Sequence, residues 1–189
     1  MTKFLPFIAL LVFTSCSNSG TSTTPSADSG SVTKMDAGKM DAGKMDVSYP
    51  YAIAYSSKFE LADPEKGKMI LDLWKDFDNN TFDNSKDKFA DTVFMQFPGM
   101  EIYASRDSMI SSTKAYRNSY KAVKSKVDAV ISTRSTDKNE NWVLVWGSEV
   151  HTDKKNVTDS VYLHEICKLN KDGKVDYMAQ FTRTPVKKK

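Results

Sequence analysis

Asp159 to Leu169 reads DSVYLHEICKL, Asn170 to Lys174 reads NKDGK, and Val175 to Thr182 reads VDYMAQFT. The two flanks alternate apolar and polar residues with a period of two, the pattern of half-buried strands. Asp172-Gly173 between them is a strong hairpin signal, because both residues tolerate the left-handed backbone a tight turn needs. These residues predict a long antiparallel hairpin at the end of the chain. Upstream, Trp142 to His151 predicts another long strand, entered through the turn residues Asp137 to Asn141, and Lys126 to Arg134 predicts a third.

The preceding stretch is helical with one short hairpin. Asp63-Pro64-Glu65 is a helix start, with Asp as N-cap, Pro at the first position and an acid in the first turn. Ile70, Leu73, Trp74 and Phe77 follow on one stripe, and Asp78-Asn79-Asn80 ends it. Asn84 to Phe89 fits a second short helix, Thr92 to Phe97 a strand, Pro98-Gly99 a turn, and Glu101 to Ala104 the return strand. Ser105 or Asp107 caps a third helix with Met109, Ile110, Thr113, Tyr116 and Tyr120 towards one side. Helices first and long antiparallel strands last predict an α+β domain, with the helices covering one face of a curved antiparallel sheet.

That domain is expected to span residues 48–189. Residues 17 to 47 are polar, and Lys34-Met35-Asp36-Ala37-Gly38 recurs as Lys39-Met40-Asp41-Ala42-Gly43 before starting again at Lys44. One apolar side chain per repeat cannot offset chain entropy, so residues 16–47 read as a flexible tether spanning about 30 Å. Its methionines, each isolated among charges, make poor soft-metal ligands.

The first fifteen residues read as an export signal. Lys3 supplies the basic start, and Phe4 to Phe13 is an apolar run. A membrane-spanning helix needs about 20 residues, and this run falls far short of that. Thr14-Ser15-Cys16 then resembles the lipobox of bacterial lipoproteins, with Phe13 where an aliphatic residue is usual. The resemblance implies a lipid on Cys16, a membrane partner through that anchor, and a place in the bacterial cell envelope. Ser17 lacks the acid associated with inner-membrane retention, which favours the outer membrane, facing periplasm or cell surface. Lipidation of Cys16 would leave Cys167 unpaired, so the exported domain is expected to be stable without a disulfide.

Twenty-seven basic and twenty-four acidic residues give a net charge of +3, which argues against a nucleic-acid partner. Lys187-Lys188-Lys189 reads as a solvated tail.

The order and spacing of several short motifs resemble the nuclear transport factor 2-like superfamily, which includes SnoaL-like proteins and ketosteroid isomerases. The motifs are Phe89-Ala90-Asp91-Thr92-Val93, Pro98-Gly99, Ser105-Arg106-Asp107-Ser108-Met109-Ile110, and Cys167-Lys168-Leu169 leading into Asp172-Gly173-Lys174-Val175. They cover about Pro64 to Arg183. The resemblance implies a cone-shaped fold, its sheet wrapped around the N-terminal helices with a pocket at the open end. The isomerase site carries over poorly. Its base falls on Phe97 and its helix-one tyrosine on Leu73, and only its third-strand acid has a counterpart, Glu165. A lone donor without a base cannot move a proton between carbons, so isomerisation is not expected.

Trp74, Phe97, Glu165, Cys167, Met178 and Gln180 are the expected pocket-lining residues. Glu165 shares its strand face with Leu163, Cys167 and Leu169, and burial there would raise its pKa. A register shift of one would instead turn Glu165 to solvent and His164 inward. His151, at a strand end, reads as a surface histidine. With no H-x-H or H-E-x-x-H spacing, no metal is expected, and no cofactor either. Cys167 reads as a buried small hydrophobe. Trp142, Leu144 and Trp146 alternate on one face, as core or dimer interface rather than ligand platform.

The leading expectation is a non-catalytic, lipid-anchored protein that binds a small apolar or amphipathic ligand, or a partner protein. The alternatives are a cofactor-free acid–base enzyme of SnoaL-like kind, acting through Glu165 with His164 assisting, and a module that homodimerises through its sheet.

Overall fold

The structure, a computed structural model, describes residues 48–185. The expected lipidated Cys16, the tether and the Lys187–Lys189 tail lie outside the described residues. Among the described residues no helix is long and apolar enough to cross a membrane.

The chain runs β1 (Phe59–Leu61), α1 (Pro64–Asn79), a 3-10 helix (Phe82–Lys88), β2 (Phe89–Phe97) and β3 (Met100–Ser105). Then follow α2 (Arg106–Asn118), β4 (Ala122–Ser135), β5 (Glu140–Thr152), β6 (Thr158–Leu169) and β7 (Val175–Arg183). The strands form one open seven-stranded sheet in the order β1-β4-β5-β6-β7-β2-β3.

Local chemistry sets the element ends. Asp63 accepts from the Glu65 backbone N–H, Pro64 occupies the first turn, and Asn80 closes α1 in the left-handed conformation. Ser105 caps α2 through the Ser108 N–H. In the β6–β7 turn Gly173 has φ 75°. The Asn170 side chain there accepts from the Asp172 and Lys174 backbone N–H groups.

Three features differ from the expectations. Phe89 opens β2 instead of closing a helix, since its ring is fully buried and the segment before it is 3-10. β1 is absent from the sequence pattern. Its three side chains are exposed and carry no periodic signal, and only pairing with β4 defines it. The sheet is also not purely antiparallel, because β2 pairs with β7 in parallel. No short turn joins those two strands, so nothing local fixes their relative direction.

The core lies between one face of the sheet and the helices. Ile70, Leu73 and Trp74 of α1 and Met109 and Ile110 of α2 meet Val93, Val143, Val145, Leu163 and Cys167. Each large side chain buried in this way contributes about 1.5–3 kcal/mol. Arg117 of α2 is buried too, an uncommon place for an arginine. Its Nε donates to the Phe77 carbonyl and its Nη2 to the Asp78 carbonyl, both at 2.9 Å. It thereby satisfies the last carbonyls of α1. Tyr120, expected on the helix, lies beyond its end.

Candidate functional site

Strand alternation turns Leu163, Glu165, Cys167 and Leu169 towards the helices, all of them buried. The inward register of β6 is the one found. His164 lies on the opposite face, where its ring stacks on Trp146 at 4.6 Å between centroids, with planes 10° apart.

Glu165 is 6% exposed and meets three groups. The Trp74 indole donates from Nε1 to Oε1 at 2.8 Å. The Gln180 amide, opposite Glu165 in the β6–β7 register, donates from Nε2 to Oε2 at 3.3 Å. The Cys167 thiol donates to Oε1 at 3.7 Å. Burial pushes the Glu165 carboxyl above its usual range and the charge on Glu149 adds to this, while the bonds from Trp74, Gln180 and Cys167 oppose it. Burial, with Glu165 beside it, also lifts the Cys167 thiol well above its ordinary value.

The close approach of Trp74 depends on Gly147. A Cβ there would meet the Lys126 carbonyl and come within 3.0 Å of Trp74 Cζ3. Only glycine lets the indole lie against β5.

Hydrogen bonds therefore join Trp74, Glu165, Cys167 and Gln180 of the expected pocket residues. Met178 stands beside Cys167 in the sheet register and faces Met95 of β2, and Phe97 packs against the same core from the end of β2. Gln180, Met178 and Phe97 are half-buried, so the cluster grades from a dry centre to a wetter rim. A separate recess of about 540 Å³ lies among Glu60, Asp63, Lys66, Arg134 and Lys171 and involves none of these residues.

Sequence reasoning missed a second polar group on this side of the sheet. His151 is not a surface residue: its side chain is 11% exposed, and its Nε2 lies 2.8 Å from Oε2 of Glu149, itself 12% exposed. The Tyr120 ring stacks on the imidazole. Continuing the alternation of Val143, Val145 and Gly147 along the strand would have placed both residues inward.

Trp142, Leu144 and Trp146 lie half-buried on the outer face, away from Glu165. Phe94 and Tyr103 stack on that face at 4.3 Å, and Phe181 is exposed there near His164. Among the described residues no group of three or more His, Cys, Asp or Glu side chains is placed to hold a metal ion.

No protein-family model matches the sequence, and no curated protein matches it. Solved structures do. A proposed SnoaL-like polyketide cyclase from Shewanella denitrificans OS-217 aligns with a TM-score of 0.54 at 7% identity, over 64% of this chain and 92% of that one. A proposed scytalone dehydratase from Novosphingobium aromaticivorans DSM 12444 aligns at 0.53 and 14% identity, over 62% and 80%. An LEH-like epoxide hydrolase from M. tuberculosis aligns at 0.52 and 9% identity, over 63% and 83%. The domain thus has the nuclear transport factor 2-like, SnoaL-like fold. At such identities the likeness is one of fold, and this fold serves many functions.

Proposed function

We propose that this chain is a lipid-anchored protein of the bacterial envelope whose domain binds a small apolar or amphipathic ligand on the helix-facing side of its sheet, with Glu165 as the polar anchor. One observation carries the reading. Trp74 holds one carboxyl oxygen of Glu165 firmly, whereas the other meets only a half-buried Gln180 at 3.3 Å. That is longer than a strong amide hydrogen bond.

A ligand hydroxyl or N–H that displaces the Gln180 amide would donate a desolvated hydrogen bond to Oε2 at little cost. Met178, Phe97 and Val161 offer apolar surface at the rim of the same cluster. Glu165 serves this purpose better than it serves catalysis. Among the described residues its only titratable hydrogen-bond partner is Cys167, a thiol whose pKa burial raises well above the ordinary value. The position preceding Pro98, where the isomerases of this fold carry their base, is Phe97.

Anchoring rests on the sequence from Met1 to Cys16. Cleavage and acylation at Cys16 would place the tether between the membrane and a domain beginning near Ser48, with the outer membrane as the expected site.

Native mass spectrometry of the protein, purified gently from its host's envelope, tests the binding. Extra mass lost on mild activation, and missing from Glu165→Gln, is the expected result. A bare polypeptide in both samples overturns it. For the anchor, Cys16→Ser is expected to leave the membrane fraction and to lose the acyl mass from the N-terminal peptide. A membrane-bound Cys16→Ser protein overturns that half.

A further inference from the structure

β5 sends Val143, Val145, Gly147, Glu149 and His151 to the helix side of the sheet. The first three complete the core, but the last two are a carboxylate and an imidazole that have little contact with water. Among the described residues Glu149 pairs with no lysine or arginine, and its one partner is His151 Nε2 at 2.8 Å. A carboxyl and an imidazole held together with little access to water, and with no lysine or arginine beside them, form a polar pair that packing alone does not call for, and a base-and-orienter pair of this geometry is a candidate site.

The surroundings are organised around the imidazole. Tyr120 covers one face of the ring, with centroids 4.6 Å and planes 23° apart. The Tyr120 hydroxyl donates to the Tyr116 oxygen at 3.3 Å. Tyr116 therefore keeps its own proton for another acceptor. Tyr116 stacks in turn on Phe77 and is half exposed. Since Nε2 faces Glu149, a neutral His151 is held in the tautomer that leaves Nδ1 unprotonated, and Nδ1 has no partner among the described residues. Opposite His151 in the sheet register stand Val123 on β4 and Asp159 on β6, the latter exposed and accepting the Ser160 N–H.

We propose that Glu149 and His151, with Tyr116 and Tyr120, form an acid–base site: His151 Nδ1 takes a proton from an activated C–H or O–H group of a small organic ligand, and Glu149 positions the ring. Tyr116 offers its O–H to the oxygen on which negative charge develops. The parts correspond to base, orienting acid and donor. The site goes beyond the ligand-binding reading: the Glu149 charge acts on Glu165 from the same side of the sheet, but Glu165 is not the base.

The test uses the full-length protein and 5-nitrobenzisoxazole, an apolar carbon acid. The base takes the C3 proton, the C–H electron pair forms the nitrile as the N–O bond breaks, and a coloured phenolate results. The protein is expected to open the ring at least tenfold faster than free imidazole at equal concentration. His151→Ala is expected to abolish the excess rate. His151→Gln, which can keep the hydrogen bond to Glu149 and hold the fold, should be equally inactive. Glu149→Gln should retain some rate but shift its pH profile, as expected of a positioning residue.

A rate no greater than that of imidazole, or one unchanged in His151→Ala or His151→Gln, overturns the proposal. If that rate test fails while the protein still carries its native ligand mass, the ligand-binding reading stands and the acid–base site falls. Loss of that mass from Glu165→Gln alone reports on the anchor.

Discussion

Trp74 Nε1 donates to Glu165 Oε1 at 2.8 Å, joining the middle of α1 to β6 across 91 residues of sequence. It is the polar link between the helix layer and the sheet at the centre of the core. Trp74→Phe keeps most of the ring but removes the donor and leaves a buried acceptor short of a partner. Urea unfolding should report a loss of about 1–3 kcal/mol.

The same acid should give the fold a characteristic pH dependence. A carboxyl raised above its ordinary 4.5 binds its proton more tightly folded than unfolded. The stability it contributes is therefore complete below that ordinary value and is lost as pH rises through the folded-state pKa. Glu165→Gln should flatten that part of the curve of unfolding free energy against pH. An unchanged slope would mean that the carboxyl titrates normally.

Gly147→Ala should be far more damaging than its size suggests. The added methyl meets the Lys126 carbonyl, which cannot move without disturbing the β4–β5 ladder, and presses on Trp74. A loss of about 3 kcal/mol is expected in chemical denaturation. Gly173 differs, since a Cβ there meets nothing but φ is 75°. Gly173→Ala should cost only about 1 kcal/mol.

Arg117→Met removes the charged donor from two carbonyls at the end of α1 inside the protein. The expected loss is about 2–3 kcal/mol. Hydrogen exchange should show it as fraying of the last turn of α1, with the β5–β6 ladder still protected. Uniform loss of protection would place the role of Arg117 elsewhere.

The buried, up-shifted Cys167 should resist thiol reagents in the native protein and react at once in denaturant. Modification can be located on the peptide containing Ile166-Cys167-Lys168 by mass spectrometry. Rapid native labelling at Cys167 would show that the β6 face opens.

Local signals are strongest where one residue type has one job. Asp63-Pro64 marks the start of α1, Asp172-Gly173 the β6–β7 turn, and Ser105 the cap of α2. Period-two alternation places Glu165 on the apolar face of β6, with His164 on the other. The same rule reaches His151 only when carried past Gly147, where the pattern turns from apolar to charged and resembles a strand fraying into solvent.

From sequence by itself came the α+β class, the major helices and long strands, and the place of Glu165 on the apolar face of β6. All of these depend on neighbours close in the chain, through capping, turn dihedrals and side-chain period. Only the tertiary structure decided that β2 runs parallel to β7, that Arg117 turns inward to cap another helix, and that Tyr120 stacks over a partly buried Glu149–His151 pair. Each of these joins residues far apart in the chain. Their free energy comes from desolvation and hydrogen bonding in the packed state, which no local pattern encodes.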